Sequence, residues 1–259
     1  MPAELLSTSQ GKTLILTLRH PEARNAFDES LYAAGVEALS VAERSDDVRS
    51  IVITGADGVF SAGGHLQRLQ ARRQEGAEAQ AQAVEGLHSW IETIRTYPKP
   101  VIAAVEGAAA GGAFSLALAC DLIVAARNAA FVMSYSQIGL SPDAGASWSL
   151  SRALPRQLAA ELLMCGERID AERLHALGIV NRLAEPGRAL HDALALADTL
   201  NERAPNAIAS TKELLNDAPE HTLTAQLALE RDHFVRNVQH ANAGEGIAAF
   251  LEKRPPRYQ

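Results

Sequence analysis

The sequence has little cysteine. Its 259 residues include only Cys120 and Cys165, and neither belongs to a C-x-x-C pair. This scarcity argues against a disulfide framework and against a structural zinc site. Because Cys120 lies in an apolar run, we expect it to be an inert buried thiol.

Long apolar runs and an excess of positive charge are also missing. The longest early apolar run, 14–18, is too short for the core of a signal peptide, and no segment approaches the roughly 18 apolar residues of a membrane span. The formal net charge is −7 at pH 7, which does not favour a nucleic-acid-binding surface. We therefore expect a cytoplasmic protein that binds small molecules or other subunits, with no nucleic acid or membrane partner.

The apolar content that is present suffices for a large core. Hydrophobic residues make up 47% of the chain and charged residues 21%, as is usual for a soluble globular protein. Strand patterns at 13–18, 50–55, 101–105, 122–125 and 131–133 alternate with turns and helices, and Asp28 is placed to cap a helix. From residue 190 onward the pattern is nearly all helical. The sequence thus predicts an α/β core over 1–198 and a helical region over 199–259.

The stretch 101–121 reads VIAAVEGAAAGGAFSLALACD and contains the first candidate binding element. Gly107, Gly111 and Gly112 interrupt it where a buried strand passes into a helix. The N-terminus of a helix has unpaired N–H groups, and glycine lets a ligand approach them closely, so this turn could hold a negative oxygen. Packing alone also explains such a turn, and neither a Walker pattern nor Gly-x-Gly-x-x-Gly is present.

A second turn of small residues, 59–66, also follows a strand. Two such turns could direct their N–H groups at one oxygen, which is the geometry of an oxyanion hole. A second packing turn is the alternative. The segment 66–82 is polar and contains Arg68, Arg72 and Arg73, which indicates a solvated helix or, alternatively, phosphate contacts. His88 and Glu92 lie four residues apart on the next helix and could face solvent or a pocket.

Three motifs together resemble the crotonase superfamily, the enoyl-CoA hydratase/isomerase family. They are FSAGGHL at 60–66, the stretch 101–121, and EGIAAFLEKR at 245–254. The resemblance implies an α/β fold that is a spiral of repeated ββα units with a C-terminal helical trimerisation region. It also implies an acyl-CoA thioester substrate, a homotrimer or a hexamer made of two trimers, and no cofactor, since coenzyme A is part of the substrate.

The resemblance also implies roles for particular residues. In the family the thioester oxygen lies between two backbone N–H groups, which here would be those of Ala62 and Gly112. Asp is more usual at the position of His65, which we expect to be a turn or pocket residue rather than a base. The positions that match substrate-binding positions in relatives are Arg24, Ala26, Gly64, His65, Leu66, Ser115, Tyr135, Phe250 and Lys253. Arg24 could instead be an exposed loop arginine, and Phe250 and Lys253 could serve core packing and a solvated tail.

Two departures from the family pattern bear on the reaction. Hydratases of the family carry two glutamates that hold a water, and the matching positions here are Ser115 and Tyr135. Neither side chain is a carboxylate base, which disfavours ordinary alkene hydration. A carboxylate does occur at Asp143, a placement similar to that in isomerases of aerobic phenylacetate breakdown. We expect Asp143 to transfer the proton, with a helix N-cap as its alternative role.

Three functions remain open at this point. The first is an enoyl-CoA isomerase that moves a double bond or rearranges a ring through an enolate. The second is an enoyl-CoA hydratase, or a hydrolase that opens a ring-expanded thioester of the oxepin-CoA type, with Tyr135 or Ser115 orienting water. The third is a CoA-thioester-binding subunit with little activity.

Overall fold

The computed structural model describes residues 3–259 and contains two β-sheets surrounded by helices. The strands found within these residues are β1 Glu4–Gln10, β2 Thr13–Arg19, β3 Ser50–Gly55, β4 Val101–Val105, β5 Ala108–Ala110, β6 Leu122–Ala126, β7 Ala130–Val132, β8 Arg168–Asp170 and β9 Arg182–Ala184. The α-helices are α1 Glu29–Glu43, α2 Leu66–Arg72, α3 Ala77–Thr96, α4 Gly112–Ala119, α5 Ala146–Ala153, α6 Arg156–Cys165, α7 Ala171–Ala176, α8 Ala189–Asn201, α9 Pro205–Asp217, α10 Leu223–Val238 and α11 Ala241–Glu252.

The larger sheet has the strand order β1-β2-β3-β4-β6-β9, and all its pairs are parallel except β1 with β2. The smaller sheet has the order β5-β7-β8. Two isolated parallel bridges lie outside these strands: Phe27 pairs with Gly64, and Ser61 pairs with Ala109. Successive turns of the chain therefore stack on one another in register. The α/β class and the predicted spiral of repeated units are confirmed.

The core lies around β3 and β4. All five residues of β4 are buried, and β3 is buried from Ser50 to Thr54, as expected of parallel strands that are covered on both faces. Helix α8 packs on β3, β4 and β6. Helices α1 and α3 pack closely because Gly35 leaves room for the buried ring of Trp90. Asp28 caps α1 by accepting a hydrogen bond from the Leu31 N–H, which confirms the predicted cap.

A buried ion pair joins the C-terminal helices to the core. Lys212 Nζ on α9 donates to Asp121 Oδ2 and to the Ile94 carbonyl, both at 2.8 Å. The same carboxylate oxygen accepts the Val101 N–H. Burial raises the pKa of Asp121 and lowers that of Lys212, while each partner opposes the shift of the other. The predicted boundary at 198/199 falls inside α8, and the division into two units stays a prediction.

The structure differs from the sequence-based expectation in several places. The polar segment 66–82 is not one helix, because α2 ends at Arg72 and α3 begins at Ala77, after Gly76 with a φ of 101°. The strands β1, β5, β8 and β9 were not predicted.

Cys120 is buried, as predicted, and burial raises the pKa of its thiol. Among the residues described, no helix is both long and apolar enough to cross a membrane.

Candidate active site

The loop before the first glycine turn is fixed by Asn25. Arg24 and Asn25 both have left-handed backbone, with φ of 50° and 59°. The Asn25 side-chain amide donates to the carbonyls of Ala56 and Val59, at 2.9 and 2.7 Å, and its oxygen accepts the His20 N–H at 2.9 Å. These hydrogen bonds hold two strained residues in place. They fix the Arg24 carbonyl beside the turn at 61–65.

The N–H groups of that turn differ in their partners. The Ala62 N–H donates to the Arg24 carbonyl at 3.0 Å, and the Gly63 N–H donates to Ser61 Oγ at 3.0 Å. The Gly64 N–H has no acceptor in the part of the chain that the structure describes. The prediction that Ala62 provides an oxyanion donor is therefore wrong, because its hydrogen is already bound. The donor still available in this turn is Gly64.

The second turn leads into α4. Gly111 has a φ of 52°, and its N–H donates to the Val132 carbonyl at 2.8 Å. Gly112 is the first residue of α4, so its N–H has no partner within the helix and lies at the positive end of the helix dipole. A β-carbon added to Gly112 would lie 3.4 Å from Leu87 Cδ2 and 3.8 Å from Phe27 Cδ2. These two apolar side chains thus lie beside the α-carbon of Gly112.

The register of the spiral brings the two turns together. Ser61 pairs with Ala109, and Gly64 and Gly112 each lie three residues further along their turn. A β-carbon added to Gly63 would lie 2.3 Å from the Ala110 carbonyl oxygen and 3.4 Å from the Gly112 nitrogen. A side chain at residue 63 would therefore clash with the backbone of Ala110, so this position requires glycine. Two N–H groups from adjacent turns, neither with an acceptor among residues 3–259, are thereby brought into one region.

A carboxylate lies beside the second turn. Tyr135 Oη donates to Asp143 Oδ1 at 2.5 Å, and a β-carbon on Gly111 would lie 3.7 Å from the same hydroxyl. Burial and the nearby charge of Asp143 raise the pKa of Tyr135, so the phenol stays protonated and acts as a donor. Ser115 Oγ donates to the Asp143 carbonyl at 3.3 Å. The chain thus brings Ser115, Tyr135 and Asp143 together next to the glycine turn.

The alternative role of Asp143 as a helix N-cap is contradicted by the structure. The N-cap of α5 is Gly145, and no side chain caps this helix. Asp143 contributes only its backbone carbonyl, which accepts the Ala146 N–H at 3.1 Å. Its carboxylate is directed to Tyr135 instead.

The remaining predicted residues lie around the first turn. Arg24 is exposed, and Ala26 is buried with its carbonyl 3.1 Å from His20 Nδ1. His65 caps α2, with Nδ1 accepting the Arg68 N–H at 3.4 Å, and its ring stacks on His20 at 5.4 Å between centroids. His65 is therefore a turn residue, in keeping with the expectation. Leu66 begins α2 and is exposed.

Two arginines of the polar segment are paired with acidic residues at the start of α1. Arg68 Nη2 lies 3.2 Å from Asp28 Oδ2, and Arg72 forms an ion pair with Glu29. These contacts give Arg68 and Arg72 structural partners. The phosphate contact considered for this segment stays a prediction.

Phe250 and Lys253 lie at the far end of α11. Phe250 is 84% exposed, and Lys253 is the C-cap with a φ of 55°. Their predicted contact with the adenine of a neighbouring subunit stays a prediction.

The sequence left open whether His88 faces solvent or a pocket, and the structure places it at the site. His88 on α3 reaches across to the Asp143 loop, where its Nε2 accepts the Ala144 N–H at 3.3 Å. The imidazole is 39% exposed, so it lies at the edge of the site. Only the tertiary packing of α3 against this loop could reveal the contact, because 56 residues separate the two partners.

Comparison with known proteins identifies the family. The family model described as enoyl-CoA hydratase/isomerase matches residues 8–259. The chain belongs to this family. The predicted membership in the crotonase superfamily is therefore confirmed, and family members act on CoA thioesters.

Individual members of the enoyl-CoA hydratase/isomerase family are similar over their whole length. The chain is 35% identical to 1,2-epoxyphenylacetyl-CoA isomerase of Escherichia coli (strain K12) over 98% of this chain and 97% of the relative. It is 33% identical to 2,3-dehydroadipyl-CoA hydratase of the same organism, over 99% of both chains. The crystal structure of an enoyl-CoA hydratase from Polaromonas sp. JS666 is 67% identical with a TM-score of 0.98, covering 98% and 99% of the two chains. The relatives of this chain therefore include both isomerases and hydratases.

Proposed function

We propose that this protein is an acyl-CoA isomerase that moves a double bond or rearranges a ring through an enolate. The observation that carries the proposal is the Asp143 carboxylate, held by Tyr135 Oη at 2.5 Å beside the Gly111–Gly112 turn. An isomerase must take a proton from one carbon and return it at another, which one carboxylate can do. Hydration also requires a positioned water, for which the family uses two glutamates. Here Ser115 and Tyr135 occupy those positions.

In the proposed reaction, Gly64 and Gly112 donate their N–H groups to the thioester oxygen. Loss of a proton next to the thioester places negative charge on this oxygen, and two preorganised donors stabilise that charge. One such donor is worth about 3 kcal/mol in comparable sites. Asp143 takes the proton while Tyr135, kept protonated by burial, orients its carboxylate. No electrons leave the substrate, so the proposal requires neither a metal nor a redox cofactor.

A second candidate is a hydratase, because the 67% identical structure is described as an enoyl-CoA hydratase. In that case Tyr135 or Ser115 would orient the attacking water. Analysis of the product mass separates the candidates. An isomer has the mass of its substrate, hydration adds one water, and a CoA-binding subunit leaves the substrate unchanged.

The role of Asp143 is tested by Asp143→Asn. The Asn side chain keeps an oxygen that can accept from Tyr135 Oη, but it cannot take up and return a proton. We expect kcat on an isomerisable enoyl-CoA to fall by a factor of about 10² or more, with an unchanged melting temperature. Exchange of substrate protons with deuterium oxide, followed by NMR, should fall in parallel. A fully active Asn variant would refute the proposed role.

The assembly and location belong to the same proposal. We infer a homotrimer, or a hexamer of two trimers, formed through the C-terminal helices, which expose Leu223, Leu227 and Phe234 at 74%, 53% and 70%. Large exposed apolar surfaces of this kind are typical of interfaces between subunits. The cytoplasmic location stays a prediction.

The acyl group is best sought by measuring activity on straight-chain and ring-derived CoA thioesters, since the epoxyphenylacetyl-CoA relative acts on the latter class.

A further inference from the structure

The residue that follows Asp143 has an unusual backbone. Ala144 has a φ of 50°, which a residue with a β-carbon rarely adopts, and it is 1% exposed. Such a conformation persists only where surrounding groups hold it, and it is often found at functional sites. Its location next to the proposed proton shuttle raises the question of what holds it.

The peptide group between Asp143 and Ala144 is held at both ends by side chains. At one end, Ser115 Oγ donates to the Asp143 carbonyl oxygen at 3.3 Å. At the other end, the Ala144 N–H donates to His88 Nε2 at 3.3 Å. Because Nε2 accepts, the imidazole proton lies on Nδ1, which is 3.9 Å from Glu85 Oε2. The orientation of this peptide plane determines where the Asp143 side chain leaves the backbone.

We propose that His88 is a positioning residue that acts through Asp143. By accepting the Ala144 N–H, it holds the left-handed backbone and so directs the Asp143 carboxylate toward Tyr135 and the acyl group. The inference rests on the proposed function, because it assumes that Asp143 transfers the proton. His88 does not itself contact the reacting atoms in this scheme. Loss of its acceptor would allow the peptide plane to rotate and would misplace the carboxylate.

The first test compares His88→Leu with His88→Gln. Leu has a similar volume but no acceptor, whereas the Gln side-chain oxygen can take the place of Nε2. We expect His88→Leu to lower kcat by a factor of about 10 to 100 with KM changed less than about twofold, since misplacing a catalytic group by about 1 Å has effects of this size. His88→Gln should keep kcat within about threefold of the wild type.

The control is Glu92→Leu, which puts the same side chain on the exposed surface of α3 one turn further along. It should not alter kcat. If His88→Leu stays within twofold of the wild type, the positioning role is refuted. It is also refuted if His88→Gln falls as far as His88→Leu, because the acceptor would then not be the relevant property. Melting temperatures of all variants show whether each one folds.

The second test adds Ala144→Gly to His88→Leu. Glycine adopts a left-handed φ without the side-chain penalty, so the loop should regain part of its geometry without His88. We expect the double variant to recover at least threefold in kcat over His88→Leu. No recovery would contradict the part of the proposal that concerns backbone strain.

Asp143→Asn, measured alongside, separates this inference from the proposed function. If Asp143→Asn is fully active, the proposed function fails whatever the His88 variants show. If Asp143→Asn is inactive while His88→Leu is fully active, only the positioning role fails.

Discussion

Single backbone groups determine the chemistry that this site can perform. Within one short turn the N–H groups of Ala62, Gly63 and Gly64 differ in availability, because the first two have acceptors at 3.0 Å and the third has none within residues 3–259. Side-chain identity does not reveal this difference. It follows from the Asn25 loop, which fixes the Arg24 carbonyl beside Ala62.

The assignment of Gly64 as a donor leads to a prediction about two substitutions. Gly64→Pro removes the N–H, whereas Gly64→Ala keeps it and places a β-carbon where nothing lies within 4 Å. We expect Gly64→Pro to lower kcat by a factor of about 10² to 10³, the usual effect of losing one oxyanion donor. Gly64→Ala should retain most of the activity. Steady-state kinetics, with circular dichroism to confirm folding, would check both.

A different result would redirect the assignment. If Gly64→Pro folds and retains its kcat, the oxyanion donor is not at Gly64. If Gly64→Ala is as inactive as Gly64→Pro, crowding by the side chain, and not loss of the donor, is the cause.

At the scale of the elements, the contact between α1 and α3 depends on one small residue. A β-carbon added to Gly35 would lie 2.2 Å from Trp90 Cε2, inside the van der Waals distance. The ring is fully buried and packs near Phe27, with centroids 6.2 Å apart, so it has little room to move. The position of Phe27, which lies beside the α-carbon of Gly112, therefore depends on this packing.

This packing predicts that replacing Gly35 by alanine destabilises the protein, although replacing a glycine inside a helix by alanine usually stabilises it. Helix propensity alone would make Gly35→Ala stabilising by about 1 kcal/mol. The clash with Trp90 should outweigh that gain and lower the free energy of unfolding by about 2 kcal/mol. The matched control is Gly244→Ala in α11, where a β-carbon meets nothing within 4 Å and a gain of up to about 1 kcal/mol is expected. Urea unfolding at one protein concentration measures both, and a stabilised Gly35→Ala would show that Trp90 can move.

At the scale of the whole molecule, the C-terminal helices present apolar side chains that this chain does not cover. Leu223, Leu227 and Phe234 follow one another on α10 at spacings that place them on related faces of the helix. Phe250 and Leu251 on α11 are also largely exposed. In the proposed oligomer, further copies of the chain would cover this surface.

The proposed assembly predicts the effect of charges on this surface. Leu227→Glu combined with Phe234→Glu should dissociate the oligomer, because burying unpaired carboxylates at an interface is costly. Val41→Glu on α1, where the valine is 67% exposed, is the control and should leave the assembly unchanged. Size-exclusion chromatography with light scattering gives the molecular mass. An oligomer that survives the double substitution would place the interface elsewhere.

The sequence by itself determined the class of fold and the location of the two glycine turns. Buried parallel strands require continuous apolar, β-branched runs, and helix starts require caps, so β2, β3, β4 and the Asp28 cap could be predicted from local patterns. The strands β5, β8 and β9 have only three residues each and form through contacts with distant strands. These three strands each carry at most one large apolar side chain, so they show no strand pattern, whereas the equally short β7 contains Phe131 and Val132.

Only the tertiary structure decided which groups at the site are available. The sequence indicated an oxyanion turn at 60–66, but the hydrogen bond from the Ala62 N–H to the Arg24 carbonyl leaves Gly64 as the available donor. Likewise, the sequence left Asp143 as either a proton-transfer residue or a helix N-cap. The structure excludes the N-cap role, because Gly145 is the N-cap of α5 and the Asp143 carboxylate accepts from Tyr135 instead. The physical reason is the same in both cases. The deciding hydrogen bonds join Ala62 to Arg24, 38 residues earlier, and Tyr135 to Asp143, eight residues later across a loop. Both depend on how the turns and loops pack, and local sequence does not contain that information.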